Sequence, residues 1–159
     1  MEWVEMSADP RVMEFFPSTQ ERAEAESMAT AVRERLERDG YGWWVLEVKG
    51  GAPFGGVIAL QGVPFEASFT PALEVGWRLA HEHWGLGYAT EGARAALDFA
   101  FAELQRDEIV AMTAAVNVRS RKVMERLGMT HDEADDFNHP RVTADHRLSR
   151  HVLYRARRR

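Results

Sequence analysis

The 159 residues suit one domain, expected to span 1–159, and 45% hydrophobic with 28% charged residues is the balance of an ordinary water-borne globule. Cysteine is absent, which excludes disulfides, thiolate nucleophiles and Cys-type zinc sites, so any thiol chemistry has to arrive with a bound cofactor. The net charge of −5 is unevenly spread: residues 141–159 carry seven Arg against one Asp, leaving 13 basic and 24 acidic side chains, a net of −11, in residues 1–140.

An acidic body disfavours nucleic acid as a partner; it either attracts a cationic acceptor such as an amine or simply keeps the chain soluble. The terminal run Arg155–Arg159 reads as a solvated tail rather than a phosphate-binding arm. No apolar run approaches membrane-spanning length and no signal-peptide pattern opens the chain, so no membrane partner and a cytoplasmic address are expected.

In chain order, Ser18-Thr-Gln-Glu21 has capping-box spacing after Pro17 and predicts a helix from about Thr19 to Asp39, stopped by Gly40. Trp43–Lys49 and Phe54–Leu60 read as strands joined by a tight turn at Gly50-Gly51-Ala-Pro53. Leu73–Ala80 alternates, with Leu73, Val75, Trp77 and Leu79 on one face and Glu74, Gly76 and Arg78 on the other. A helix follows from about Tyr88 to Leu104, with an apolar stripe through Ala89, Ala93, Ala96, Leu97, Ala100, Phe101 and Leu104. Glu108–Val116 is a further strand, Arg119–Leu127 a short helix ending at Gly128, and His151–Arg155 a last strand. Hairpin strands followed by strand–helix–strand predict an α/β fold with a mixed sheet containing one parallel pair.

The chemistry lies between strand and helix, in Glu82-His83-Trp84-Gly85-Leu86-Gly87-Tyr88-Ala89. Two glycines let the backbone turn sharply and approach a ligand, and the helix behind them begins with unpaired N–H groups and a positive dipole end, which suits a pyrophosphate. Tyr88 to Thr90 stand where a dinucleotide fingerprint needs its third glycine, and no Gly-Lys-Ser/Thr follows as in a Walker loop. Taken alone, Gly-Leu-Gly reads more readily as a plain structural turn than as a ligand loop.

The longer stretch Glu74-Val-Gly-Trp-Arg-Leu-Ala-His-Glu-His-Trp-Gly-Leu-Gly-Tyr-Ala-Thr-Glu91 resembles the acetyl-CoA-binding motif of the GNAT acetyltransferases, and within them the Rim-type ribosomal-protein N-terminal acetyltransferases. Some forty residues on, Asn117-Val-Arg-Ser120 and the helix ending Leu127-Gly-Met129 resemble the second family motif. Trp43-Trp44 and Leu153-Tyr154-Arg155 also fit, so the resemblance covers nearly the whole chain. It implies the GNAT acyl-CoA N-acyltransferase fold, with strands 73–80 and 108–116 parallel and splayed around acetyl-CoA. Backbone N–H groups from Trp84, Gly85, Leu86, Gly87, Tyr88 and Ala89 are then expected to take the pyrophosphate, and Leu79 and Ala80 to pair with the pantetheine arm. Asn117 and Ser120 are expected to reach the cofactor from the other side, with Arg119, Arg121 and Lys122 as candidates for its terminal phosphate.

The implied reaction is attack of a neutral amine on a thioester, which needs positioning, an oxyanion donor and proton removal. A backbone N–H near Leu79 or Ala80 is the expected donor. Glu74 matches the position of a family general base, although a solvated strand carboxylate reads the same way. The usual family tyrosine, four residues after Ser120, is Met124 here, so Ser120 or water would protonate the leaving thiolate, or it would leave unassisted. His81 and His83 read as loop residues. His131, His139 and Asp135-Asp136 match no metal-ligand spacing, and no metal is expected. Ser7–Phe16 looks like the family's first helix, so the usual N-terminal strand is expected to be missing and a sheet edge left bare. The expected acceptor is an α-amine of a protein or peptide; a small amine such as an antibiotic or polyamine, or a CoA-binding module without turnover, are the alternatives, and monomer and homodimer are both open. An α-amine of pKa near ~7.8 is roughly one-seventh neutral at pH 7 and a lysine only about one part in 2,500, roughly 3 kcal/mol of deprotonation apart.

Overall fold

The hydrophobic periodicities become layers in the computed structural model, which describes residues 2–158. Two helices open the chain, α1 (Glu2–Ala8) and α2 (Arg22–Asp39), followed by strands β1 (Trp43–Leu46), β2 (Gly56–Gly62) and β3 (Leu73–Leu79). Then come α3 (Tyr88–Ala102), β4 (Glu108–Ala114), α4 (Val118–Arg126), the two-residue strands β5 (Thr130–His131) and β6 (Phe137–Asn138), and β7 (Arg150–Arg157). The strands form one sheet in the order β1-β2-β3-β4-β7-β5, with β6 also paired to β7. The expected parallel pair is β3 with β4, and it consists of a single rung, Glu74 opposite Val110. Beyond that rung the two strands part.

Each face of the sheet has its own apolar layer. The α3 and α4 side buries Ile58, Leu60, Val75, Leu79, Ile109 and Met124 against Ala93, Ala96, Leu97 and Ala100. Alanine along this stripe lets α3 sit close to the strands. On the other side, Trp3, Val4 and Met6 of α1 join Val12, Met13, Ala25 and Val57.

Several expected boundaries move. The Gln20 N–H donates to the Ser7 carbonyl at 2.9 Å, which ties down the segment before α2. The helix therefore starts three residues late, with Glu21 at its N-cap and the Glu24 carboxylate accepting the Glu21 N–H at 3.1 Å. Residues 9–16 are turns rather than helix. Pro10 disfavours helical backbone at Asp9, whose carboxylate instead accepts the Arg11 N–H at 2.9 Å. The tight turn after β1 is a longer connection, closed inside by Gly51 N–H to the Val48 carbonyl at 2.9 Å. Among the described residues no strand precedes α1, and β1 ends the sheet with no strand on its outer side.

Candidate active site

Between β3 and α3 a single 3-10 turn at His81–His83 leads into Gly85 and Gly87, with φ of +75° and +88°. Space around both is open, so it is this left-handed backbone that requires glycine rather than crowding by neighbouring protein atoms. Gly87 is the N-cap of α3 and no side chain caps the helix, so its first N–H groups and positive dipole end are offered to a ligand. The Trp84 N–H, expected to join them, donates instead to the His81 carbonyl at 3.2 Å, while the Trp84 indole donates to the Leu79 carbonyl at 2.9 Å. Trp84 thus braces the loop against the end of β3.

A cavity of about 290 Å³ opens in front of this helix end. Its wall holds Leu79, Trp84, Gly85, Gly87, Tyr88, Ala89, Asn117 and Ser120 of the expected set. Leu86, 60% exposed, and Ala80 do not line it. Five cationic side chains do, Arg11, Arg78, Arg119, Lys122 and Arg126, and no carboxylate. In a chain of net charge −5 that is a local reversal of sign, matched to a polyanion. Arg11 and Arg119 are paired with Asp9 and Glu14, both at 2.6 Å, and Arg119 also lies over the Trp84 ring at 4.5 Å. No ion pair among the described residues engages Lys122 or Arg126. Arg121 donates to the Ala115 carbonyl and is not part of the wall. Arg126 was open to sequence reasoning, one helical turn beyond Lys122 on α4; Arg11, from a distant turn, was not.

The strand edge facing the cavity follows from the ladder. The Ala80 N–H donates to the Gly55 carbonyl at 3.1 Å, which commits it to the β2 side and corrects its expected use as an oxyanion donor. Backbone direction alternates along a strand, so the Trp77 and Leu79 groups face β4, where pairing has already ended. Trp77 lines both this cavity and the next, and was not among the expected site residues.

The second cavity, about 400 Å³, adjoins the first at Phe15, Phe16, Trp77, Arg78, Asn117 and Ser120. Glu74 lies in its wall. The Trp43 indole donates to Gln61 Oε1 at 2.7 Å, which turns the Gln61 amide so that Nε2 donates to Glu74 Oε1 at 2.8 Å. Burial raises the Glu74 pKa above the ordinary 4.5, opposed by that hydrogen bond. His139 and His151 stand on the same wall with ring centroids 4.8 Å apart. Burial, with His139 as neighbour, pushes His151 down to about 4, so its imidazole stays uncharged at neutral pH.

Asn117, 8% exposed, caps α4: its Oδ1 accepts the Ser120 N–H at 3.3 Å and its Nδ2 donates to Thr113 Oγ1 at 2.9 Å and to Ser120 Oγ at 3.2 Å. The Ser120 oxygen is thereby an acceptor towards Asn117, leaving its proton for another partner. Met124 is 2% exposed, one turn below Ser120 in the core. His131 Nε2 is 2.7 Å from Asp136 Oδ1 and its ring stacks on Tyr154. Among the described residues no group of three or more His, Asp or Glu is placed to hold a metal, and no helix is long and apolar enough to cross a membrane.

Residues 1–130 match the family described as the acetyltransferase (GNAT) domain. The uncharacterized protein YkkB of Bacillus subtilis is 31% identical over 121 residues, which cover 76% of this chain and 69% of YkkB. The FsC-acetyl coenzyme A-N(2)-transacetylase of Aspergillus fumigatus is 41% identical over 98 residues, 59% of this chain and 41% of that protein. Among solved structures, the ribosomal-protein-S5-alanine acetyltransferase of Vibrio fischeri superposes with a TM-score of 0.74 at 16% identity, covering 98% of this chain and 85% of that one, a likeness of fold. The cation-lined cleft at an uncapped helix end is what acetyl-CoA requires, and the chain belongs to the GNAT family of acetyl-CoA-dependent N-acetyltransferases.

Proposed function

We propose that this acetyltransferase acts on an α-amino group, held in the cavity around Glu74, while acetyl-CoA occupies the cleft beside α3. The observation that carries the reading is the meeting of the two cavities at Trp77 and Ser120, with a single carboxylate, Glu74, on the acceptor side. When bound, acetyl-CoA supplies the acyl thioester; the chain supplies the rest. The α3 N-terminus with Lys122 and Arg126 holds the phosphates, and the Trp77 or Leu79 N–H faces the carbonyl oxygen where negative charge develops.

Glu74, its pKa raised by burial and its carboxylate oriented by Gln61, takes the proton from the amine directly or through water. The sulfur departs as a thiolate, a fair leaving group at a thiol pKa near ~8.5; the Ser120 hydroxyl donates a hydrogen bond to it and water supplies the proton. One carboxylate base suits an α-amine, of which roughly one-seventh is already neutral at pH 7, better than a lysine. The wall also argues against a polyamine, since Arg78 and Arg141 outnumber the one acidic side chain.

Thiol release from acetyl-CoA, measured from pH 6 to 9.5, compares a peptide with a free N-terminus and its N-blocked, lysine-containing counterpart. The free N-terminus is expected to react faster throughout. Faster reaction of the blocked peptide overturns the α-amine reading, and no release with any amine overturns the transferase role of these residues.

A further inference from the structure

Arg155 and Arg78 are two inward-facing arginines treated very differently. Arg155 meets two carboxylates, Glu108 at 2.5 Å and Asp135 at 2.9 Å. Arg78 is only 9% exposed, yet no carboxylate among the described residues pairs with it. Its Nη1 has only long contacts, 3.5 Å to Ser7 Oγ and 3.4 Å to Gln20 Oε1, and its Nε is buried with no partner. Phe16, Trp3 and Trp43 surround the guanidinium, with ring centroids 4.3, 5.3 and 6.0 Å from Cζ. Such rings attract a cation and exclude water, but they do not satisfy in-plane N–H donors. Burial pushes the Arg78 pKa down only to about 10, so the group remains charged at neutral pH.

A buried cation left with free donors is costly unless a ligand completes it. Arg78 lines the shared wall of the two cavities, on the face of β3 that also carries Glu74 and Gly76. Its cross-strand partner is Val57, in the layer beneath α1, opposite the face packed by α3. The missing partner therefore belongs to the acceptor's side of the sheet. Glu74 and Arg78 are four residues apart on that face, about 13 Å of strand rise, with Gly76 adding no side chain between them.

We propose that Arg78 is the acceptor-recognition residue for a carboxylate, so that the preferred substrate is an α-amine whose own molecule carries a carboxylate, its amine near Glu74 and its anion on the guanidinium fork. This rests on the acceptor assignment above. A free amino acid and a peptide with an acidic side chain near its N-terminus share this chemistry. Planar bidentate recognition is what an arginine offers and a lysine does not.

The test uses matched acceptors that differ only in charge: a peptide with Glu or Gln at its second position, and an amino acid against its amide. The wild-type enzyme is expected to favour the carboxylate member of at least one pair by about tenfold or more in kcat/KM, mainly through KM. Arg78→Gln and Arg78→Lys should bring that ratio close to one, whereas Arg22→Gln, outside both cavities, should preserve it. Equal use of both members by the wild-type enzyme overturns the proposal without touching the transferase reading, and this arm needs no variant to fold. Arg78→Gln that weakens acetyl-CoA binding but keeps the acceptor ratio overturns it too, assigning the guanidinium to the cofactor. Should no acceptor react, calorimetry with the N-acetylated Glu and Gln peptides decides: equal affinity overturns the proposal, and tighter Glu binding lost in Arg78→Gln supports it while the α-amine reading fails.

Discussion

The cleft beside α3 takes most of its wall from two short stretches of chain, residues 77–90 and 117–126, whereas the cavity around Glu74 gathers side chains from Phe15 to His151. In the first, the working groups are largely main chain: left-handed glycines, an uncapped helix end and a strand edge without its neighbour. In the second they are side chains, Glu74 turned by Gln61 and Gln61 turned by Trp43, each on a different strand. A main-chain site tolerates many side-chain changes and fails when backbone conformation fails. A side-chain site breaks at single atoms.

The largest effect should therefore come from backbone conformation in the cleft. Gly87→Val places a β-branched residue at φ of +88°, which such a residue avoids, and is expected to abolish the rise in melting temperature that acetyl-CoA gives. Gly85→Val, at +75°, should do the same. Thermal melts with and without cofactor check both, and an unaltered rise in both variants would remove this loop from the cofactor site.

Next in size is the chemistry of Glu74. Glu74→Gln keeps the shape and is expected to lower kcat about 100-fold near pH 6, and less towards pH 9 where free amine is abundant. Its cofactor-induced melting shift should match that of the wild type, since Glu74 lines only the second cavity. An unchanged pH profile would take Glu74 out of the mechanism. Stability supplies a check without turnover. Glu74 binds its proton more tightly folded than unfolded, so it favours the fold at acid pH and loses that advantage as pH rises from 4.5 through its raised folded value. Relative to wild type, Glu74→Gln should gain stability across that window in denaturant titrations.

The smallest effect tests a residue that lines both cavities. Asn117→Ala removes the α4 cap and is expected to cost about 1 kcal/mol of unfolding free energy, with weaker acetyl-CoA binding as Ser120 loses its partner. Full stability alongside weakened binding would mean the amide acts on the cofactor rather than through the helix.

What could be read beforehand divides along the same line. The glycine turn before α3 was legible because its logic is local: glycines at two positions, then a helix, all inside one stretch of sequence. Elements with a clear period also landed within a few residues, as α3 and β3 did. The capping box did not, because a long-range bond from Gln20 to Ser7 governs where α2 can start. Ala80 was expected to serve the ligand, but strand alternation assigns its N–H to Gly55, and alternation direction needs the neighbouring strand to be known. The isolation of Arg78, and the approach of His139 to His151, depend on which distant segments lie alongside, and no spacing in the chain encodes that.

The single rung between β3 and β4 has a consequence for how the molecule breathes. The sheet is two blocks, β1-β2-β3 and β4-β7-β5, stitched by the one rung at which Glu74 stands opposite Val110. Amides at Trp77 and Leu79, on the unstitched edge, should exchange with solvent far faster than those of the β4–β7 ladder, and slow sharply once acetyl-CoA fills the gap. Such slowing is what a cosubstrate lying along the open edge of β3 as an extra strand would produce. Cofactor concentration would then set how far the middle of the sheet is protected, by mass action.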